Sequence, residues 1–291
     1  MLLNHLFRYI RLKFNNALCR ILFRRKQPQK KYFLSVCAIF KNEGRFLKEW
    51  IDFYLLAGVE HFYLYNNLSD DDYLQVLKPY IDKGLVTLTD WAIPYGHMSA
   101  YFDCVEKYSA ECNWIGFFDL DEFAVPLQTM DLKKCLQKYN QFPSLSVYWK
   151  MFGANGIIED DKNKLISEQF VLSYDFNSYK SFLNTKFTKW ISSKSRSPHF
   201  FKFKFFNRIC PKNPAYYVGF RKSQIAQDIQ LNHYYCKSFD YFCNKKQIGR
   251  QLDDKDKISL QKFFDVDCMA TTPDYQIFKY MIQLKTFRLD D

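Results

Sequence analysis

From Tyr32 onward the hydrophobic pattern switches repeatedly between two periods, and this alternation constrains the fold more than any single motif. YFLSVCAIF at 32–40 is a short apolar run suited to a buried strand. Phe46, Leu47, Trp50, Ile51, Tyr54 and Leu55 then recur at helical spacing from about Glu43, and Gly58 stops the helix. HFYLY at 61–65 predicts a second strand, the acidic loop before about Asp71 a second helix closed by Pro79 and Gly84, and LVTLTDW at 85–91 a third strand. A third helix is expected over 98–110 and a fourth strand over 114–118. The βαβαβαβ order implies an α/β fold with a mostly parallel central sheet whose ligands sit at the carboxyl ends of the strands. After Pro126 the rhythm loosens, with strand-like pieces at 145–151 and 200–206 and helical segments at about 238–250 and 274–285. The expected organisation is a basic arm at 1–31, a nucleotide-binding half at 32–126, a substrate-adapting half at 127–250 and a C-terminal helical segment at 251–291.

Charge separates the arm from the body. The formal net charge is +11, but residues 1–31 hold nine Lys or Arg and no acid, leaving 33 basic against 31 acidic residues in the rest. A neutral body argues against a protein built around a phosphate backbone, so no nucleic-acid partner is expected. In the arm, Leu2, Leu3, Leu6, Phe7, Ile10, Phe14, Ala17 and Ile21 share one arc of a helical wheel, with Arg8, Arg11 and Asn15 opposite. This pattern suits a helix lying in an anionic membrane interface. A helix packed on its own domain and an unstructured tail remain alternatives. The apolar stretches are too short to span a bilayer or to serve as a signal-peptide core, so the expected location is cytoplasmic, peripheral on the inner face of a membrane. Nine cysteines without CxxC spacing read as reduced thiols rather than a disulfide framework or a zinc cluster.

WIGFFDLDEF carries the chemistry. Ile115, Gly116, Phe117 and Phe118 lead into Asp119, Asp121 and Glu122, so three acids within four positions follow a buried strand. Such a cluster repels itself unless a cation neutralises it. Hard oxygen ligands at this spacing suit Mn²⁺ or Mg²⁺ bridging to a diphosphate. Neither GxxxxGK[ST] nor GxGxxG is present, which disfavours a kinase or a dinucleotide oxidoreductase.

These segments, taken in order, are familiar. AIFKNEGRFLKEWIDFYLLAGVEHFYLYNNLSDDD, VLKPYIDKGLVTLTDW, AYFDCV, WIGFFDLDEFAVP, WKMFGANG and LNHYYCKSFDYFCNKKQIGR resemble glycosyltransferase family 92 over roughly residues 34 to 250. The resemblance implies a GT-A type fold, a metal-dependent nucleotide-sugar donor and inverting transfer; studied relatives are galactosyltransferases. It implies that Asp119 and Asp121 bind metal and donor diphosphate, with His233 as the remaining metal ligand. Lys41, Asn42 and Glu43 match the loop bordering the base, and Asn66, Asn67 and Asp70 or Asp71 the loop near base and ribose. Asp103 matches a donor-side position in a segment where Phe102 departs from the family's AYNDC. Lys237, Lys245 and Arg250 match the KS…K…GR pattern, and lysines and an arginine there suit neutralisation of a departing diphosphate. Lys186 and His199 align loosely.

Inverting transfer also needs a carboxylate to take the acceptor hydroxyl proton. Glu159, Asp160, Asp161, Glu168, Asp175 and Asp228 are candidates, and Glu168, after the FGANG segment, matches an acidic family position. The expected function is transfer of a hexose, galactose from UDP-galactose, onto a glycan or lipid-linked glycan acceptor. The alternatives are another sugar or retaining stereochemistry, a nucleic-acid-binding protein using the arm, and a noncatalytic sugar-binding relative.

Overall fold

The computed structural model describes residues 30–140, 142–191, 197, 199, 201, 228–247 and 258–290, without the side chains of 190, 246 and 247. Residues 1–29 of the arm, Arg250 and most of the expected 200–206 strand lie outside the described residues. β1 (Tyr32–Phe40), α1 (Gly44–Leu56), β2 (His61–Asn66), α2 (Tyr73–Asp82), β3 (Val86–Asp90), α3 (His97–Tyr108) and β4 (Cys112–Phe117) follow the expected alternation. Gly58 closes α1 with φ +92°, a left-handed conformation that side chains disfavour.

β1, β2, β3 and β4 are mutually parallel, in the order β3-β2-β1-β4. The second half continues the same sheet with different pairing. β5 (Glu122–Pro126), β6 (Ser144–Phe152), β7 (Leu172–Asn184) and β8 (Ile229–His233) extend the order to β3-β2-β1-β4-β7-β6-β8-β5, and β9 (Thr272–Pro273) pairs with β7. β7 runs antiparallel to both β4 and β6, β8 parallel to β6, and β5 antiparallel to β8. The chain therefore leaves β4 through the acid turn and re-enters the sheet at its far edge, as β5. α4 (Leu132–Gln137), α5 (Ile166–Gln169), α6 (Leu260–Met269) and α7 (Met281–Thr286) cover the rest. A helical turn, Phe239–Tyr241, runs into a π-helix at Phe242–Gln247. No helix of the described residues is long and apolar enough to cross a membrane.

The core explains why α1 supports the site. Phe46, Leu47, Trp50, Ile51, Phe53 and Tyr54 are all buried against the sheet. Burying each such side chain contributes roughly 1.5–3 kcal/mol. The same face aims polar atoms at the acid turn: Trp50 Nε1 donates to the carbonyls of Asp119 and Glu122, both at 3.0 Å. Tyr54 Oη donates to the Glu122 carbonyl at 3.1 Å and accepts from the Ala124 N–H at 3.0 Å. A helix legible in the sequence thus holds the backbone on which the acids stand.

Candidate active site

Four parallel strands bring four loops to one edge of the sheet, and two of them knit together. The Asn42 N–H donates to Ser69 Oγ and Asn42 Oδ1 accepts from the Asp70 N–H, each at 2.9 Å. Asp71 Oδ2 accepts from the Gly44 N–H at 2.7 Å. Asn66 is buried, and its Nδ2 donates to Tyr73 Oη at 2.9 Å and to Asp90 Oδ1 at 3.0 Å while its Oδ1 accepts from the Ser69 N–H. Asn67 Nδ2 donates to the carbonyls of Trp91 and Ile93. Asp103 on α3 accepts from Tyr65 Oη at 2.8 Å and pairs with Lys107 at 2.9 Å. The residues expected to bind base and ribose are thus at the expected edge, but the side chains of Asn66, Asn67 and Asp103 are occupied in shaping it.

Lys245 reaches this edge from the π-helix. Its Nζ donates to the carbonyls of Lys41 and Asn42 and lies 3.9 Å from Glu43 Oε1. Burial lowers the Lys245 pKa from the ordinary lysine value, with Glu43 opposing. This lysine clamps the loop after β1.

At the acid turn the sheet makes contacts that no local spacing foretells. Antiparallel pairing sets Glu122 opposite His233, and the Tyr234 N–H donates to the Asp121 carbonyl at 2.9 Å. His233 Nε2 therefore stands 3.5 Å from Asp121 Oδ1. Two atoms bound to one octahedral ion at 2.0–2.1 Å lie about 3 Å apart, so the pair fits one edge of a Mn²⁺ or Mg²⁺ site. Among the described residues no group of three or more His, Cys, Asp or Glu is arranged to hold an ion. One carboxylate and one imidazole suit an ion that takes its other ligands from water and substrate phosphates.

Lys237 supplies the clearest sign of an anionic ligand. Its side chain is 1% exposed, Nζ lies 3.8 Å from Asp121 Oδ2, and the ammonium stands over the rings of Tyr241 (4.3 Å) and Phe46 (4.6 Å). It has no hydrogen-bond partner among the described residues. Leaving such donors unsatisfied costs about 1–3 kcal/mol or more for a charged group. Lys237 also holds φ +50°, a strained conformation for a residue with a side chain. Strain and a buried ammonium without a hydrogen-bond acceptor among the described residues coincide beside the candidate ion ligands.

Asp119 is held differently from Asp121. Lys180 Nζ lies 2.8 Å from Asp119 Oδ2 and 3.5 Å from Glu122 Oε2, and His97 Nε2 lies 3.3 Å from Asp119 Oδ1. Burial pushes the Asp119 carboxyl up, but Lys180 and His97 more than offset it and hold the group well below the usual carboxylate range. For Glu122, burial wins and raises the carboxyl, with Asp119 and Asp121 adding to the rise. Lys180 is pulled down by burial and, more strongly, up by Asp119 and Glu122, so its net shift is upward.

The sequence reading missed Lys180 and His97. Lys180 opens the run 180–184 of β7, which is buried on both faces, so strand parity does not mark it, and His97 has no local signature. Trp149 was also missed: its ring centroid is 4.4 Å from that of His233 and 5.3 Å from that of His199. His199 Nδ1 faces the Tyr179 carbonyl at 3.1 Å, and burial lowers its pKa.

Glu168, the expected base, keeps one buried carboxylate oxygen, Oε2, without a hydrogen-bond partner among the described residues. Glu168 lies on α5, where Glu49 receives the N–H groups of Ile166 and Ser167, and its Oε1 pairs with Lys285 Nζ of α7 at 2.6 Å. These contacts tie it to the helical layer with α1 and α7. Among the other candidates, Asp160 pairs with Arg45 and Ser238, Asp175 with Lys150, and Asp228 with Tyr139 and Lys138.

The family model for glycosyltransferase family 92 matches residues 30–265. A glycosyltransferase family 92 protein of Ricinus communis is 29% identical over 134 residues, 44% of this chain and 24% of that protein. The beta-1,4-galactosyltransferase galt-1 of Caenorhabditis elegans is 30% identical over 110 residues, 33% of this chain and 26% of that protein. The aligned part thus spans about a quarter of the length of these relatives. Among solved structures, S. aureus TarS in complex with UDP covers 60% of this chain and 53% of its own, at 16% identity and a TM-score of 0.39. By the match that runs through both halves of its sheet, the chain belongs to glycosyltransferase family 92.

Proposed function

We propose that this chain is a metal-dependent, inverting glycosyltransferase that moves a hexose, galactose from UDP-galactose, onto a glycan or lipid-linked glycan acceptor. Family membership supports the transferase chemistry, and the relatives named as beta-1,4-galactosyltransferases support the sugar. The observation that carries the reading is the buried ammonium of Lys237 beside Asp121 and His233, with no hydrogen-bond acceptor among the described residues.

In this reading Asp121 and His233 hold the ion, which supplies electrostatic stabilisation of the diphosphate leaving group when bound. Lys237 donates to a phosphate oxygen and leaves the desolvated state in which the fold holds it. Lys245 keeps the loop at 41–43 in place along the edge of the nucleotide pocket. Burial of Lys237 and Lys180 makes each charge count for more than it would in water. The arm at 1–31 would bring the enzyme to an anionic membrane, each basic residue near the surface contributing about 1 kcal/mol.

A screen of nucleotide sugars for transfer or slow hydrolysis, with Mn²⁺ and with EDTA, tests the reading. Metal-dependent turnover of UDP-galactose is expected. No turnover of any nucleotide sugar overturns it, and turnover of a different donor alone overturns the choice of sugar. Sedimentation with anionic vesicles tests the arm: a chain lacking residues 1–29 should remain in the supernatant.

A further inference from the structure

The cation at the centre of the acid turn belongs to the chain itself. Three acids within four residues stand at the end of β4, and antiparallel pairing of β4 with β7 ends at Phe117 opposite Ser181. The next residue along β7, Lys180, is thereby delivered beside the turn, 61 residues from Asp119 in sequence. Its side chain is 1% exposed, and its one ammonium contacts Asp119 at 2.8 Å and Glu122 at 3.5 Å. Glu122 is fully buried, and its Oε2 also accepts the Asp119 N–H at 3.0 Å. Asp119, 32% exposed, is held closely, Oδ2 by Lys180 at 2.8 Å and Oδ1 by His97 at 3.3 Å, whereas the Asp121 oxygens stand farther from their partners, 3.5 Å from His233 and 3.8 Å from Lys237.

We propose that Lys180 is a positioning residue: a built-in cation that fixes Asp119 and Glu122 in the wall of the site and leaves Asp121, with His233, as the carboxylate presented to the ion. This inference rests on the transferase reading above. Burying an ion pair is weak evidence for stability, because well-packed apolar residues often do as well. A pair kept in the wall of a charged site has a second effect. The Lys180 charge offsets carboxylates that would otherwise draw the ion toward the wall and repel a diphosphate. Its removal should therefore change metal and nucleotide affinity in opposite directions, which a merely structural lysine would not do.

The test uses the full chain and two titrations, Mn²⁺ alone by electron paramagnetic resonance and UDP in saturating Mn²⁺ by calorimetry. Lys180→Met should bind Mn²⁺ at least about three-fold more tightly, since a like charge near the ion is gone, and UDP about ten-fold more weakly. If both affinities fall together, or neither moves, the proposal is overturned. Should the single variant fail to fold, the charge-neutral double variant Lys180→Met with Asp119→Asn decides. It should bind Mn²⁺ within about three-fold of the parent, whereas Asp121→Asn should lose about 30-fold or more. A double variant that loses Mn²⁺ as severely as Asp121→Asn makes Asp119 an ion ligand and overturns the proposal. The parent's titrations report separately on the function: a parent that binds neither Mn²⁺ nor UDP overturns both readings, and one that binds both while Lys180→Met matches it overturns only this one.

Discussion

The loops after β1 and β2 and the turn after β4 lie at the same edge of one sheet, yet their polar groups are used in opposite ways. Around Asn42, Asn66, Ser69 and Asp70 the structure pairs donor with acceptor across the two loops, and Asp71 uses one carboxylate oxygen there while its Oδ1 is buried without a hydrogen-bond partner among the described residues. Around Asp121 it leaves a buried ammonium without a hydrogen-bond acceptor among the described residues. A side chain such as Asn66, whose amide donors and acceptor are all paired, serves to hold shape. An unsaturated one is costly until something arrives to complete it. The comparison teaches where binding energy is stored, and it separates residues that share one edge.

The largest effect should come from the unsaturated side. Asp121→Asn should weaken UDP binding in Mn²⁺ by about 100-fold, close to 3 kcal/mol, with the melting temperature little changed. Unchanged binding with and without EDTA would break the comparison at its stronger end. Lys237→Met should cost about ten-fold in UDP affinity, near 1.4 kcal/mol, without lowering stability, because it removes a buried ammonium that no hydrogen-bond acceptor of the described residues satisfies. A variant that unfolds on heating well before the parent would make Lys237 part of the scaffold.

On the saturated side the sign reverses. Asn66→Ala should lose about 1–3 kcal/mol of stability, roughly 2–4 °C in melting temperature per kcal/mol, while UDP affinity changes less than about three-fold. A nucleotide defect as large as that of Asp121→Asn would return Asn66 to the list of ligand contacts.

Two weaker tests sharpen the boundary. For Asp160, burial raises the carboxyl, but the hydrogen bonds and charge of Arg45 and the Ser238 hydroxyl outweigh it, so its folded pKa lies below the ordinary value. A depressed carboxylate contributes stability that is fully present above its unfolded pKa, near 3.9, and is lost as pH falls through the folded value. Asp160→Asn should therefore lower the urea midpoint at neutral pH and leave it nearer the parent's in acid. An equal loss at both pH values would remove the ion pair as the cause. Glu168→Gln should give the smallest effect, since its pair with the half-exposed Lys285 contributes about 0–1 kcal/mol. Transfer should stay within about three-fold of the parent, and a loss of 10² to 10⁴ would restore Glu168 as the base.

What was legible depended on distance along the chain. β1 came out at Tyr32–Phe40 as expected and α1 within a residue or so, because hydrophobic period and a glycine stop are local signals. β5 escaped notice since EFAVP follows the acids without a pause, and β7 because its 13 residues are buried only toward one end. The surroundings of Glu168 were illegible for a related reason: a position after FGANG says nothing about which layer α5 packs in, and its partner Lys285 comes from 117 residues away.

The sequence by itself determined the α/β alternation, the parallel first half and the placing of Asp119 and Asp121 directly after β4, since each follows from period, apolarity and spacing within some ten residues. Only the tertiary structure decided how those acids divide their work. Antiparallel pairing carries Lys180 to Asp119, and the β5–β8 pair carries His233 to Asp121, across 61 residues in one case and from the opposite end of the second half in the other. Charges interact through space at a few ångströms, and which charges come that close is set by strand order and register, which no local pattern encodes.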